Sequence, residues 1–267
     1  MHPINKILSV AGVKLQRVLG ENKKIQRQYY RQFASLKNNT RGFDLFEDYP
    51  RREDGIHPAD YVDYQCAFAA GHLRRLNPEK ILDIGSYRHF IIGALSHFNI
   101  TTLDIRKRQP VCGNETIISG DAKAIKLPDN VFDLVITLCA LEHFGLGRYG
   151  DELDPDADKK AFKEMVRVLK PGGRLVFTTS LTRAKPSIAF NAHRIYSMEM
   201  LRGFCADLVC EDEAFFSRQI SGFCAFEKIT AEPRVWDVYC GCWKKKSARN
   251  DKIGYLCIHV MFVKKNW

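Results

Sequence analysis

Five short apolar runs, separated by segments of helical periodicity or by tight polar links, constrain this chain more than any other feature. They are Lys80–Ile84, Thr101–Ile105, Thr116–Ser119, Val131–Leu138 and Arg174–Thr179. Short aliphatic and β-branched runs with no clean polar alternation suit strands covered on both faces. Helical periodicity runs from Pro58, expected to open its first turn, to Leu76, and again over Phe90–Phe98 and Asp158–Leu169. In the last of these Phe162, Met165, Val166 and Leu169 share a face, and Lys170-Pro-Gly-Gly173 stops the helix. The alternation predicts an α/β fold, five parallel strands with helices on both faces. Ser197–Phe204 reads as one more helix with Ser197 as N-cap. Val235–Trp243 and Ile253–Val263 read as strands that pair with each other, an antiparallel C-terminal addition.

Residues 1–41 differ from the rest. Nine Lys and Arg stand there against one acid, Glu21, so the arm alone carries +8 of a net charge of +10. Ile4, Ile7, Leu8, Ala11, Leu15, Val18 and Leu19 fall on one helical stripe, and a second helix is expected over Lys23–Leu36. We therefore divide the chain into a basic amphipathic helical arm, residues 1–50, and a sheet domain, residues 51–267. The stripe suits either packing on protein, a second copy in a homodimer included, or peripheral contact with an anionic membrane through residues 1–36. Positive charge confined to one arm argues against nucleic acid as the partner. The run Ile7–Val13 is too short for a signal peptide, and none reaches the roughly 18 apolar residues of a membrane span. Nine cysteines, an odd number, are scattered and several sit in apolar runs. They fit reduced thiols in a cytoplasmic protein.

In an open parallel sheet, ligands sit beyond the carboxyl ends of the strands. Strand one ends in Asp83-Ile84-Gly85-Ser86 and strand two in Asp104, 21 positions on (104 − 83). Strand three ends in Gly120-Asp121-Ala122 and strand four in Leu138-Cys-Ala-Leu-Glu-His-Phe144. Three carboxylates at one edge describe a nucleoside pocket, although any one of them alone suits a helix N-cap. Gly85 is followed by Ser86, Tyr87, Arg88 and His89, so the Gly-x-Gly-x-x-Gly that admits a dinucleotide pyrophosphate is absent. The segment 144–158 combines Gly145, Gly147 and Gly150 with Arg148, Tyr149, Asp151, Asp154, Asp156 and Asp158. Its acids lack the spacing of a calcium loop. Cys240-Gly-Cys242 and Cys257-Ile-His259 fit buried thiols better than zinc ligands, and no metal is expected.

These pieces, in this order, resemble the class I S-adenosylmethionine-dependent methyltransferases. The matching stretches are Leu82-Asp-Ile-Gly85, Leu103-Asp104, Gly120-Asp121-Ala122, Phe132-Asp133-Leu-Val, Leu141-Glu-His143 and Arg167-Val-Leu-Lys-Pro-Gly-Gly173. The resemblance implies a Rossmann-like doubly wound sheet and S-adenosyl-L-methionine as cofactor. It places Gly85, with Asp83 and Ser86, at the methionine end, and Asp104 and Ile105 at the ribose. Asp121 and Ala122 fall at the adenine, and Leu138 closes the set. Tyr87 and His89 depart from the family, standing where further glycines usually fall.

Methyl transfer needs the acceptor atom held in line with the leaving sulfur and, for a hydroxyl, a base. His143 is the expected base, with Tyr149 and Asp151 beside it as catalytic candidates. Arg148, Asp154, His193 and Arg194 are the substrate-binding candidates. The 144–158 loop and His193-Arg194-Ile-Tyr196 resemble methyltransferase-like proteins of bacterial surface polysaccharide pathways, which implies O-methylation of a sugar hydroxyl in a glycan or its precursor. Two rivals remain: a nucleic-acid methyltransferase using the basic arm, and a cofactor-binding scaffold without turnover. The first lacks the Asn/Asp-Pro-Pro-aromatic motif after strand four.

Overall fold

The computed structural model describes residues 23–37, 40–47 and 59–247. The stripe at 4–19, Pro58, the run 253–263 and the Cys257/His259 pair lie outside those residues. The chain divides into two compact units, Met1–Pro58 and Ala59–Trp267. In the first, residues 23–36 form helix α1, in which Tyr29 meets the rings of Tyr30 and Phe33 at 5.3 and 6.3 Å.

The second unit opens on α2 (Tyr61–Leu76). Asp60, rather than a proline, starts this helix. Its carboxylate accepts from the Val62 and Asp63 amides while Asp63 accepts from the Asp60 amide, a reciprocal cap. Then follow β1 (Ile81–Ile84), α3 (Arg88–Ala94), β2 (Ile100–Asp104), β3 (Glu115–Ser119), β4 (Phe132–Leu138) and α4 (Ala157–Val168). The chain continues through β5 (Leu169–Leu181), β6 (Ser187–Ala189), β7 (His193–Ile195) and α5 (Met198–Phe204), the last capped by the Ser197 hydroxyl. It closes with β8 (Leu208–Ser217), β9 (Gly222–Cys224) and β10 (Asp237–Lys245).

Eight strands form one sheet in the order β3-β2-β1-β4-β5-β10-β8-β9. The first five are parallel and the last three antiparallel. Strand order reverses between β1 and β4, so the crevice at their carboxyl ends is the natural ligand site. Two expectations are corrected. The strand expected at 235–243 runs over 237–245 and pairs with β5 on one edge and β8 on the other. And β5 begins at Leu169, running through Lys170-Pro-Gly-Gly173 across a register shift opposite Phe132/Leu134, instead of starting at Arg174.

Alternation along the strands distributes the core to both faces. Leu134 and Ile136 of β4 pack with Ala69 and Leu73 of α2 and Ile91 of α3. Val135, Leu82 and Ile84 face Phe162, Met165 and Val168 of α4. Each of these fully buried side chains contributes on the order of 1.5–3 kcal/mol, which makes the sheet edge a rigid platform for the loops above it.

Candidate active site

A shallow cleft, open to solvent, lies over the switch point. Gly85, Asp104, Ile105, Asp121 and Ala122 line it, facing His143, Tyr149 and Asp151 from the segment after β4. Gly85 has φ +67, and a Cβ added there would meet the Ala140 Cβ at 3.1 Å. Only glycine brings the backbone this close to the segment across the cleft. The Asp121 carboxylate accepts from the Lys123 amide at 2.9 Å and opens a short 3-10 turn, Ala122–Ala124.

The other three predicted cofactor residues are buried and do not line the cleft. The Ser86 amide donates to Asp83 Oδ1 at 3.3 Å, and the Leu138 amide donates to Ser86 Oγ at 3.0 Å. They tie the first loop to the end of β4. Burial pushes the Asp83 carboxyl up to about 7, outweighing the lowering by its Ser86 hydrogen bonds.

Asp104 is fully engaged. Oδ1 accepts the amide and Nε of Arg106, both at 2.9 Å; Oδ2 accepts Arg106 Nη2 at 2.8 Å and Arg108 Nε at 2.6 Å. Four donors fill the four acceptor sites of a carboxylate. Burial acts against ionisation here, but these donors hold the carboxyl below its usual range. The Arg106 guanidinium also lies 4.7 Å over the Tyr149 ring, which joins the two walls of the cleft. Nothing in the spacing of the motif shows that an arginine two residues on folds back over the predicted ribose acid.

At the other end, His143 Nδ1 lies 2.5 Å from the Ala192 carbonyl oxygen. A carbonyl only accepts, so Nδ1 carries the proton and Nε2 keeps its lone pair, the tautomer a general base needs. Arg148 Nη1 donates to the same carbonyl at 3.3 Å. The His193 ring sits 6.3 Å from His143 and 5.7 Å from Trp236. Burial first, and then the neighbouring Arg148 and Arg218 guanidiniums, lower the His193 pKa.

Beneath this end lies a polar cluster that sequence reasoning missed. Gln65 Oε1 accepts from Cys139 Sγ at 2.8 Å and from the Thr178 hydroxyl, and Gln65 Nε2 lies 3.5 Å from the Tyr87 hydroxyl. Cys139 adopts φ +48 at the end of β4, a strained conformation for a side-chain residue. The buried Glu142 accepts from Thr179 Oγ1 at 3.0 Å, and burial raises its carboxyl pKa. The signal available was Gln65 itself, a polar residue at a core position of α2.

The loop acids are largely occupied with the loop. Asp151 accepts the amides of Gly147 and Tyr149. Asp154 pairs with Lys160 at 2.8 Å and Lys123 at 3.6 Å, and Asp158 accepts the Tyr196 hydroxyl at 2.9 Å. Arg194, its side chain 5% exposed, donates to the carbonyls of Phe144, Asp154 and Pro155. Asp154 and Arg194 therefore hold the loop from behind, away from the cleft lining, while Arg148 and His193 stand beside His143.

Solved structures share the fold that carries this cleft. N-methyltransferase NodS from Bradyrhizobium japonicum WM9, crystallised with S-adenosylhomocysteine, superposes with a TM-score of 0.50 at 18% identity, covering 80% of this chain and 97% of that one. The 1,6-didemethyltoxoflavin-N1-methyltransferase of Burkholderia thailandensis, with its substrate and S-adenosylhomocysteine bound, gives 0.52 at 14% identity over 85% and 91%. The fold is that of the class I methyltransferases. It is not tied to one reaction, since the [4+2]-cyclase SpnF gives 0.53 at 18% identity over 82% and 94%.

Sequence relatives point the same way over shorter stretches. The ubiquinone/menaquinone biosynthesis C-methyltransferase UbiE of Pasteurella multocida (strain Pm70) is 33% identical over 107 residues, 39% of this chain and 35% of that protein. The UbiE of Enterobacter sp. (strain 638) is 38% identical over 93 residues, 34% and 32%. The chain thus spans about a third of the length of these curated relatives. Residues 117–206 also match the family described as "Caenorhabditis protein of unknown function, DUF268".

Proposed function

We propose that the chain is an S-adenosyl-L-methionine-dependent methyltransferase, acting on a sugar hydroxyl of a surface glycan or its precursor. The observation that carries the cofactor reading is the shared cleft. Gly85, Asp104 and Asp121, each at the carboxyl end of a different strand, face one opening at the switch point. A Cβ at Gly85 would crowd the Ala140 Cβ, so bare backbone faces the cleft. Asp121 matches a nucleoside's amino group, and Asp104 its hydroxyls once the Arg106 side chain gives up its two bonds. On those terms the residues present fit the cofactor. The relatives' names and the S-adenosylhomocysteine in two neighbours support the same reading.

Bound there, S-adenosyl-L-methionine would supply an electrophilic methyl group. Asp104 would accept from the ribose hydroxyls, and Asp121 from the adenine amino group. His143, with Nδ1 fixed on Ala192, would take the acceptor's proton at Nε2. The sugar reading rests on the sequence resemblance and on Tyr149, Arg148 and His193, since Asp154 and Arg194 are spent on the loop.

The test is calorimetric titration with S-adenosylhomocysteine, with NAD as control. Micromolar binding is expected for the wild type and none for NAD. Asp104→Ala removes charge-assisted bonds of about 1.5–3 kcal/mol each, so affinity should fall on the order of 100-fold. Arg106→Ala should instead bind several-fold more tightly, because the Arg106 side chain occupies two of the four acceptor sites the ribose must share. Absent binding, or binding indifferent to Asp104, would remove the cofactor assignment.

A further inference from the structure

Two arginines without acid partners, with two imidazoles and an indole between them, stand beside the cleft where the acceptor would enter. The group runs from Arg148 through His143 and His193 to Trp236 and Arg218. Arg148 Nη1 lies 3.5 Å from His143 Nδ1, His143 and His193 lie 6.3 Å apart, and His193 lies 5.7 Å from Trp236. The Arg218 guanidinium covers Trp236 at 4.4 Å. Both arginines are exposed, and both imidazoles are half-buried.

Several arginines of this domain pair with carboxylates. Arg88, Arg106, Arg108, Arg167, Arg174 and Arg202 all pair with acids. Among the described residues, the guanidiniums of Arg148 and Arg218 have no acid partner, and the acids nearby are otherwise engaged. Glu142 is buried on Thr179, Asp151 takes two loop amides, and Asp237 takes the amides of Arg218 and Thr230. Burial chiefly, with Arg148 and Arg218 adding to it, lowers the His193 pKa. Two guanidiniums flanking two imidazoles and an indole offer fork-shaped donors for an oxyanion next to a flat surface for a ring.

We infer that this group binds an oxyanion carried by the acceptor, a phosphoryl or carboxylate group on the sugar to be methylated. The inference rests on the methyltransferase reading, which it narrows from any hydroxylated acceptor to an anionic one. The oxyanion would be held between Arg148 and Arg218, with the hydroxyl to be methylated directed toward His143.

The test titrates the full chain, with and without saturating S-adenosylhomocysteine, against glucose 1-phosphate, glucuronate, inorganic pyrophosphate and neutral glucose. Millimolar or tighter binding of at least one anion, with glucose at least tenfold weaker, is expected. Arg148→Gln and Arg218→Gln, both exposed changes that leave the core intact, should each weaken that binding about tenfold while leaving S-adenosylhomocysteine affinity within twofold. Glucose 1-phosphate and pyrophosphate binding alone would assign a phosphoryl group, and glucuronate binding alone a carboxylate. Equal affinity for glucose and the anions, or anion binding indifferent to both arginines, would overturn the inference. The S-adenosylhomocysteine titration reads the cofactor assignment separately, so either can fail without the other.

Discussion

The Gly145→Ala variant is expected to lose about 2–5 kcal/mol of stability. Gly145 sits at φ +70, and a Cβ there would stand 2.3 Å from the Asp154 carbonyl oxygen and 2.4 Å from the Ala157 Cβ. The left-handed backbone alone costs a side-chain residue about 1–2 kcal/mol, and forced overlap in a packed site adds about 1–3 kcal/mol. The carbonyl cannot retreat freely, because the Gly145 oxygen and the Asp154 amide are bonded at 3.0 Å, closing the loop at its base. Gly150→Ala is the control. It shares the left-handed conformation, at φ +80, but nothing lies within 4 Å of its added Cβ. Thermal denaturation should place Gly145→Ala on the order of 10 °C below wild type and Gly150→Ala within a few degrees of it. Equal melting of the two variants would refute the crowding at the loop base.

Stability of the unliganded protein is expected to fall as pH rises from about 4 to about 7, and Asp83 is the reason. A carboxyl with an ordinary pKa of 3.8 in the unfolded chain is pushed by burial to about 7 in the folded one. Between those values the folded state holds the proton more firmly, so its contribution is fully present below the lower value. It is lost as pH rises through the upper one. At 1.36 kcal/mol per pH unit the span amounts to about 4 kcal/mol. Asp83→Asn keeps an oxygen for the Ser86 amide and removes the charge. Denaturant unfolding should find the variant close to wild type near pH 3.5 and more stable by about 4 kcal/mol at pH 8. Parallel pH profiles for the two proteins would show that Asp83 ionises without penalty.

Much of the sheet was legible because its strands are buried on both faces. A run such as Leu134-Val-Ile-Thr-Leu138 has no alternative use in a soluble domain, and the first four parallel strands lie within a residue of their expected bounds. The antiparallel part was read poorly. Strand β8 carries Glu211, Asp212 and Glu213, residues with weak strand preference, and it forms because β10 supplies a partner along its length. The start of β5 was hidden for a related reason. Lys170-Pro-Gly-Gly173 reads as a helix stop and is one, yet Leu169 before it already pairs with Phe132, and a register shift carries the strand across it to Arg174.

In the cleft, position was legible and partnership was not. Gly85, Asp104, Asp121 and His143 fall where strand ends put them. The four-fold engagement of Asp104 depends on Arg106 and Arg108 turning back on it, which the motif does not encode. Asp154 and Arg194 stand out in the sequence by their polarity, and the structure pairs them with Lys160 and with the loop's own carbonyls. The loop's need for partners for its own carbonyls and for nearby lysines was not visible. Trp236 and Arg218, which complete the group beside the cleft, come from turns far along the chain that no local pattern links to His143.

The carbonyl of Ala192 has a consequence for how such a chain can diverge. It belongs to the turn between β6 and β7, yet it decides which nitrogen of a ring 49 positions earlier keeps the proton. Lengthening or shortening that hairpin by a residue would release Nδ1 and let the imidazole settle in its other tautomer, with the sheet beneath untouched. Reactivity here is therefore open to insertions and deletions in a surface turn, a kind of change that folding selects against least.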